Sequence, residues 1–389
     1  MKVLSLFDGM ACGMLAMLGA GVKVDRYVAY EIDKYATQTS AHNFPEIEHR
    51  GDVFKADFTE FAGFDFLVGG SPCTYWSIAQ KNNRETEASG LGWELFSQYV
   101  RALHEAKPRY FVYENNKSMS DAIRESITKA FGFEPICINS ALVSAQYRQR
   151  LYWVGKRETD GTYSKVDVSQ PADRGIILRD ILEDAPDEQY YQMTTVKARP
   201  VVPDAVEKPK RVCAWGKYAD GKTQQGMRAY SIDGKSVTLK TTGAEKIAIP
   251  VRVGDIGSNA QAHRVYSCNG KSVTINAGGG GQGGKTGLYL TPLVGFTTGA
   301  YPAEYLYQVV NGLITINGQQ YPTQLPDGLY VIRKLTVTEC NRVQTVPDWY
   351  EFPVSNAQAY KMLGNGWTVE VIKHLILSAL IDPDDSWML

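Results

Sequence analysis

The chain opens with short apolar runs that alternate with longer stretches of helical periodicity. Val3 to Phe7, Tyr27 to Tyr30, Phe64 to Val68 and Tyr110 to Tyr113 are runs of four or five residues rich in strand formers. Each leads into a polar or glycine-containing cluster: Asp8-Gly9, Glu31-Ile32-Asp33, Gly69-Gly70-Ser71 and Glu114-Asn115-Asn116. Between them, Glu94 to Glu105 and Met119 to Phe131 carry apolar residues at helical spacing. Strands that are apolar along their whole length imply a parallel sheet covered by helices on both faces. Ligands of such sheets bind beyond the carboxyl ends of the strands, which is where all four polar clusters fall.

Pro171 to Leu329 has a different pattern. Helical periodicity fades, and 20 of the 36 glycines lie between Thr195 and Tyr330. The stretch Arg228 to Leu239 is repeated in kind at Arg264 to Ile275. Each copy reads as strand, Asp-Gly or Asn-Gly turn, strand, so two similar hairpins are predicted. Gly278 to Gly284 reads as a loop. After Tyr330 helical character returns, with a short helix over Thr336 to Val343, a tight turn at Gly364-Asn365-Gly366 and an amphipathic helix over Thr368 to Leu380. Residues 1–170 and 331–389 are therefore expected to make one α/β domain, and 171–330 a β-rich insertion within it.

Charge changes this picture. The net charge of −1 argues against a uniformly basic nucleic-acid binder. Yet between Thr195 and Tyr330 there are 15 Lys and Arg against 8 Asp and Glu, leaving 26 against 34 elsewhere. The insertion is basic and the remainder acidic, so the two parts should have different tasks. Arg228, Lys235, Arg264 and Lys271 recur at matching places in the repeat and are candidates to face a polyanion. The six cysteines are far apart, with no C-x-x-C pair, so neither a zinc site nor a disulfide framework is expected. No signal peptide is visible, and Val369 to Ile381 is too short and too charged to span a membrane.

The candidate chemistry lies at the strand ends. Glycines in Phe7-Asp8-Gly9-Met10-Ala11-Cys12-Gly13 would let a ligand approach the backbone near a helix N-terminus, although the G-x-G-x-x-G spacing is absent. Glu31 suits a pair of ribose hydroxyls, and Asp52 follows near the end of a third strand. For either acid alone a helix N-cap is the favoured reading, whereas the two together fit an adenosine-bearing cofactor. Cys73, in Gly69-Gly70-Ser71-Pro72-Cys73, stands in a loop unsuited to a core and would be exposed in the cleft as a nucleophile. Glu114 ends the next strand and is a candidate general acid. Alternation ahead of Leu151 to Val154 would point Gln146, Arg148 and Arg150 into one polar site.

These residues together resemble the DNA cytosine-5 methyltransferases, both the bacterial and phage enzymes and the catalytic domains of eukaryotic de novo enzymes. The resemblance covers about Lys2 to Gly155 and Lys334 to Leu380, with its motifs in family order. It implies an α/β, Rossmann-like S-adenosylmethionine-dependent methyltransferase sheet with an inserted β-rich target-recognition domain. It places Phe7, Asp8, Gly9 and Cys12 in the first cofactor loop and Pro72 beside the cofactor. Glu31 and Asp52 would hold the ribose and adenine of S-adenosyl-L-methionine, with Ile32 and Val53 against the ring. Asn365 and Trp367, in Gly364 to Val369, would close the pocket, and Arg333 to Thr336 with Glu339, Cys340, Arg342 and Gln344 would support the recognition domain.

The resemblance also implies a mechanism. Cys73 would add to C6 of a flipped cytosine, Glu114 would hydrogen-bond or protonate N3, Arg150 would hold the base O2 and Arg148 would position loop or backbone. C5 would then attack the sulfonium methyl. The implied partner is double-stranded DNA, met by a monomer, with a restriction endonuclease as a candidate companion. The implied setting is the cytoplasm of a bacterial cell or phage-infected host, with no membrane and no metal. A non-catalytic DNA-binding relative and an RNA cytosine-5 methyltransferase are the competing readings. Two positions depart from the family pattern: Asn116, where Val usually follows Glu-Asn, and Thr74, where Gln often follows Pro-Cys.

Overall fold

The computed structural model describes residues 1–77, 84–184, 186–192, 197–198, 211–214, 228–230, 250, 252–256, 263–275, 286–293, 302–323 and 325–381. They form two compact units. The first draws on Met1–Ser140, Gln149–Pro171 and Gln344–Leu389, the second on Ala141–Arg148 and Ala172–Val343.

The first unit is built on eight strands: β1 Lys2–Leu6, β2 Arg26–Tyr30, β3 Glu48–His49, β4 Phe66–Gly69, β5 Tyr110–Asn116, β6 Ile136–Asn139, β7 Gln149–Arg157 and β8 Tyr163–Lys165. Its early helices are α1 Cys12–Gly19, α2 Lys34–Asn43, α3 Gly90–Ala106 and α4 Asp121–Phe131. Strand order is β3-β2-β1-β4-β5-β7-β6, with β8 on β7. The first five strands pair in parallel, as their unbroken apolar character predicts. The sheet is not parallel throughout: β7 runs antiparallel to β5, β6 and β8. The strand order reverses beside β1, where β2 lies on one side and β4 on the other, and this opens a crevice at their carboxyl ends.

The core of this sheet is aromatic. Phe96, Tyr99, Phe111, Tyr113, Phe131 and Trp153 are all buried in one cluster. The Tyr99 hydroxyl donates to the carbonyls of Leu67 (3.2 Å) and Val112 (2.9 Å), so the ring of α3 is tied to the two strands that carry the catalytic-type loops. Local signals set the helix ends. In α4 the Ser120 hydroxyl accepts from Ile123 N, and Gly132 takes the left-handed conformation just past the last turn.

In the second unit, β12 Arg252–Asp255, β13 Arg264–Ser267, β14 Leu288–Pro292, β15 Tyr307–Val310, β16 Leu313–Ile316, β17 Gln319–Pro322 and β18 Gly328–Arg333 join the short β9 Lys197–Ala198 in one sheet. β10 Arg211–Ala214 and β11 Arg228–Tyr230 pair separately, and α5 Val337–Val343 closes the unit. The chain then returns to the first unit with α6 Asn356–Asn365 and α7 Val369–Leu380. The tight turn expected at Gly364 to Gly366 is instead the end of α6, where Gly366 N donates to Met362 O (2.7 Å).

The second repeat copy is not a hairpin. Beyond the Asn269-Gly270 turn the chain does not fold back on β13, which pairs with β12 and β14 instead. Ser272 forms an isolated bridge with Gln146, and Thr274 Oγ1 donates to Tyr147 O (2.8 Å). The segment 141–148 occupies the place of the expected partner strand. The turn of the first copy, Asp233-Gly234, and the loop at Gly278 to Gly284 lie outside the described residues. Among the described residues no helix is long and apolar enough to cross a membrane.

The end of β4 is closed on two sides. A Cβ on Gly69 would stand 2.8 Å from Leu6 O and 2.9 Å from Tyr99 Cε2, and neither backbone nor a doubly bonded ring can yield easily. Gly69→Ala is therefore expected to cost about 1–3 kcal/mol. Urea denaturation of the two proteins checks this, and equal midpoints and slopes would contradict it.

Candidate active site

The crevice at the strand ends is a pocket of about 240 Å³ lying wholly within the first unit. The segments that follow β1, β2 and β4 and the end of β5 reach it, together with the end of α6 and the residues before α7. Of the residues expected to hold a cofactor, Phe7, Asp8, Gly9, Cys12, Glu31, Pro72, Asn365 and Trp367 line it. Cys73 and Glu114 line it as well.

The loop after β1 is wound tightly. Phe7, Gly9 and Ala11 have φ values of 57°, 60° and 61°, so two residues with side chains occupy the left-handed region. Such backbone strain persists only where neighbours enforce it. Here Glu31 does so: its Oε2 accepts from Gly9 N (2.9 Å), and its Oε1 accepts from Ile32 N and Asp33 N (both 2.8 Å). Asp8 is buried behind the loop. Its Oδ1 accepts from Ser5 Oγ (2.6 Å) and Tyr27 OH (2.7 Å), while the buried Oδ2 has no partner among the described residues. Burial pushes the Asp8 carboxyl up to about 6, against the two hydroxyls that lower it and with the Glu31 charge adding to the rise.

Three expected cofactor residues do not line the pocket. Asp52 is the N-cap of a 3-10 turn over Val53–Lys55, with Oδ1 accepting from Phe54 N (3.0 Å), and β3 ends earlier than expected, at His49. Val53 is 5% exposed and belongs to the aromatic core. Ile32 is 79% exposed, next to Glu31. Asp33 and Lys361, which were not among the expected cofactor residues, do line it. Asp33 caps α2 and pairs with Lys361 Nζ of α6 (2.6 Å). Although burial raises the Asp33 carboxyl, the bonds from Lys361 and Tyr35 N hold it below its usual value. The ion pair joins α2 to α6, and α6 was itself not foreseen.

Glu114, Arg150 and Trp367 form one hydrogen-bonded group, and Cys73 lines the same pocket as Glu114 and Trp367. Cys73 begins a 3-10 turn at the tip of β4 and is partly exposed. Glu114, 8% exposed, has both carboxylate oxygens engaged: Arg150 Nε lies 2.9 Å from Oε1, and Trp367 Nε1 donates to Oε2 (3.0 Å). Antiparallel pairing puts Tyr152 opposite Glu114 and Arg150 opposite Asn116, so the salt bridge is a diagonal cross-strand contact. Gln344 braces Trp367: its Nε2 donates to Leu363 O (2.6 Å) and Gly366 O (3.3 Å), and its Oε1 accepts from Thr368 Oγ1 (3.0 Å). Gly70 completes the packing, since a Cβ there would meet Glu114 O at 2.8 Å and Glu114 Oε2 at 3.0 Å.

Gln146 and Arg148 are not in this group. β7 starts at Gln149, so strand alternation does not extend back to them, and both belong to the second unit. Arg148 is buried there and donates to Ile275 O (3.4 Å); the buried Gln146 amide has no side-chain partner among the described residues. Lys271 is not a surface charge either. It is 1% exposed, and its ammonium donates to Ser144 O (3.0 Å) and Ile176 O, while burial lowers its pKa. Arg264 lies half-buried on β13, in register with Asp255 of β12. The side chain of Arg228, and Lys235 entirely, lie outside the described residues.

A doubly wound sheet with its pocket at the switch point, a Pro-Cys loop and an arginine-held glutamate defines a class, and the sequence comparison agrees. Residues 1–380 match the C-5 cytosine-specific DNA methylase family, and the chain belongs to that family of DNA cytosine-5 methyltransferases. It is 26% identical over 433 aligned positions to the orphan methyltransferase M.SPRI of Bacillus phage SPR, covering 96% of each chain. It is 24% identical to the type II methyltransferase M.HhaI of Haemophilus parahaemolyticus, covering 96% of this chain and 93% of that one. The fold is shared with the Dnmt2 methyltransferase of S. pombe at a TM-score of 0.56 and 13% identity, over 97% of this chain and 98% of the other.

The buried Asp8 carboxyl gives the first loop a pH signature. The folded protein holds this proton up to about pH 6, whereas an unfolded chain releases it near pH 4. Across that window the folded state binds more protons, so Asp8 makes stability fall as pH rises, with no further change above it. The full effect corresponds to about 3 kcal/mol. Denaturation of the parent and of Asp8→Asn between pH 4 and 7 should show this decline in the parent only. Parallel pH profiles would contradict the assignment.

Proposed function

We propose that this protein methylates C5 of cytosine in double-stranded DNA through a covalent adduct between Cys73 and C6 of a base flipped out of the helix. The observation that carries this is the convergence of Cys73 and Glu114 on one pocket, with Arg150 Nε 2.9 Å from the Glu114 carboxylate. Cytosine C5 is a poor nucleophile until a thiolate adds at C6, and the charge that then develops around N3 needs an adjacent acid. Glu114 meets N3, and Arg150 both fixes that carboxylate and faces the base O2. Once C5 carries the methyl group its proton leaves to solvent, the C–H electron pair reforms the C5–C6 double bond and expels Cys73 as thiolate, and N3 returns its proton to Glu114. The target atom is inaccessible in a duplex, so the base must leave the stack.

The pocket residues fit S-adenosyl-L-methionine, which when bound supplies a methyl group activated by its sulfonium sulfur. Glu31 has its carboxylate fixed by three backbone N–H groups at the end of β2, the place for a ribose. The exposed Ile32 side chain next to it offers an apolar face for the adenine. A Cβ at Gly9 would meet nothing within 4 Å, so the loop stands clear of protein on its ligand side. Asp52 and Val53 contribute from behind, by capping and packing the turn next to β3. Phe7, Cys12, Pro72, Asn365 and Trp367 complete the wall.

The β-rich second unit is the target-recognition domain in this reading. Phosphate contacts from its basic residues supply affinity, and base-edge contacts supply sequence preference. Lys271, turned inward, acts on the scaffold of that unit instead of on DNA.

The test uses random-sequence duplex DNA in which 5-fluorocytosine replaces cytosine. Fluorine cannot leave as the proton does, so with S-adenosyl-L-methionine present a denaturant-stable protein–DNA complex should accumulate. Cys73→Ser should abolish trapping while retaining cofactor binding. Absence of any trapped complex with the parent would contradict covalent catalysis, and loss of both trapping and cofactor binding in the variant would contradict the role given to Cys73.

A further inference from the structure

Asn116 departs from the family pattern, and its surroundings give the departure a task. The residue ends β5, two positions after Glu114, and is 4% exposed. Its Nδ2 is 3.4 Å from Cys73 O and 3.2 Å from Asn115 Oδ1, which also accepts from Asn116 N (2.8 Å). Its Oδ1 accepts from Ser118 Oγ (2.7 Å). The amide is therefore fixed in orientation, with its donor side turned to the carbonyl of the nucleophile's own residue.

The same carbonyl accepts from Trp76 N (3.2 Å) and Ser77 N (3.0 Å), the two N–H groups that close the 3-10 turn carrying Cys73. Among the described residues, the other hydrogen bonds to the Cys73 carbonyl come from that turn itself. A single 3-10 turn is a weak element. Neighbouring contacts continue the brace. Asn115 Nδ2 donates to Ser71 O (3.1 Å), before Cys73. Arg84 joins Trp76 O (3.1 Å) to Ser118 O (2.7 Å), after it. Ser71, Cys73 and Trp76 are thus each tied to the end of β5 or to the residues just after it.

We propose that Asn116 is a positioning residue that fixes the backbone of Cys73, and with it the direction of the thiol, relative to Glu114 on the same strand. The proposal deepens the covalent reading above and rests on it for its kinetic consequence. A valine at this position has no donor for Cys73 O and no acceptor for Ser118. The thiol must approach C6 within a few tenths of an ångström and the correct angle while Glu114 meets N3. Nucleophile and acid therefore have to be held as a unit.

Asn116→Asp is the sharpest probe. It is isosteric and keeps the acceptor for Ser118, but it removes the donor and sets a carboxylate oxygen against a carbonyl. Hydrogen exchange over residues 71–77 reads the brace without any turnover. Exchange several-fold faster in the variant than in the parent is expected, with the rest of the sheet unchanged. Equal exchange would overturn the proposal whether or not the parent traps 5-fluorocytosine DNA, so this readout is separate from the test of covalent catalysis. In the kinetic arm, covalent trapping and kcat should fall about tenfold or more, with KM for the cofactor unchanged. Ser118→Ala should show a smaller loss in the same direction. Faster exchange with an unchanged trapping rate would also overturn the proposal, because the brace would then not position the thiol.

Discussion

The salt bridge between Arg150 and Glu114 is the contact on which the arrangement of the pocket depends. It requires β7 to run antiparallel beside β5, since only that pairing sets an arginine near the start of one strand diagonally across from a glutamate near the end of the other. Both groups are largely buried, with side chains 13% and 10% exposed. Removing one partner would leave a buried charge uncompensated, so each is costly without the other. The Trp367 indole occupies the second carboxylate oxygen. Through it the acid is tied to the segment between α6 and α7, some 250 residues later in the chain.

From that contact the rest of the pocket follows. Gln344 holds the backbone around Trp367, and Lys361 on α6 pairs with Asp33 at the start of α2. The wall formed late in the chain is thereby bonded to the walls formed early. Glu31 holds the strained loop after β1, and the aromatic cluster of Tyr99, Tyr113 and Phe131 fixes the strands from which Cys73 and Glu114 emerge. Strain at one loop and burial of charge at another are both carried by the packed sheet beneath. The pocket is built on strand ends, with the loops after β1 and β4 bringing Asp8, Gly9 and Cys73 to it.

Much of this was legible in the sequence because strand ends announce themselves. The runs at Val3, Tyr27, Phe64 and Tyr110 marked four parallel strands, and the polar clusters after them supplied Glu31, Cys73 and Glu114 in the pocket. What failed depended on partners distant in sequence. Alternation back from Leu151 grouped Gln146 and Arg148 with Arg150, but nothing local shows that the strand starts only at Gln149. Lys271 follows an Asn-Gly turn, where a lysine ordinarily reads as a surface charge; its inward course depends on the carbonyls of Ser144 and Ile176. The helix α6 was hidden because it is short and runs into Gly-Asn-Gly, which reads as a turn. The bland reading of Asp52 as a cap describes its observed hydrogen bond.

In the proposed reaction one covalent bond is central, that between Cys73 and the target base. Peptide mapping of the trapped complex by mass spectrometry tests it most directly. After nuclease and protease digestion, the nucleotide mass should reside on the peptide containing Cys73 and on no other cysteine peptide. A nucleotide found on a different cysteine, or methylated DNA formed by a Cys73→Ser protein, would contradict it.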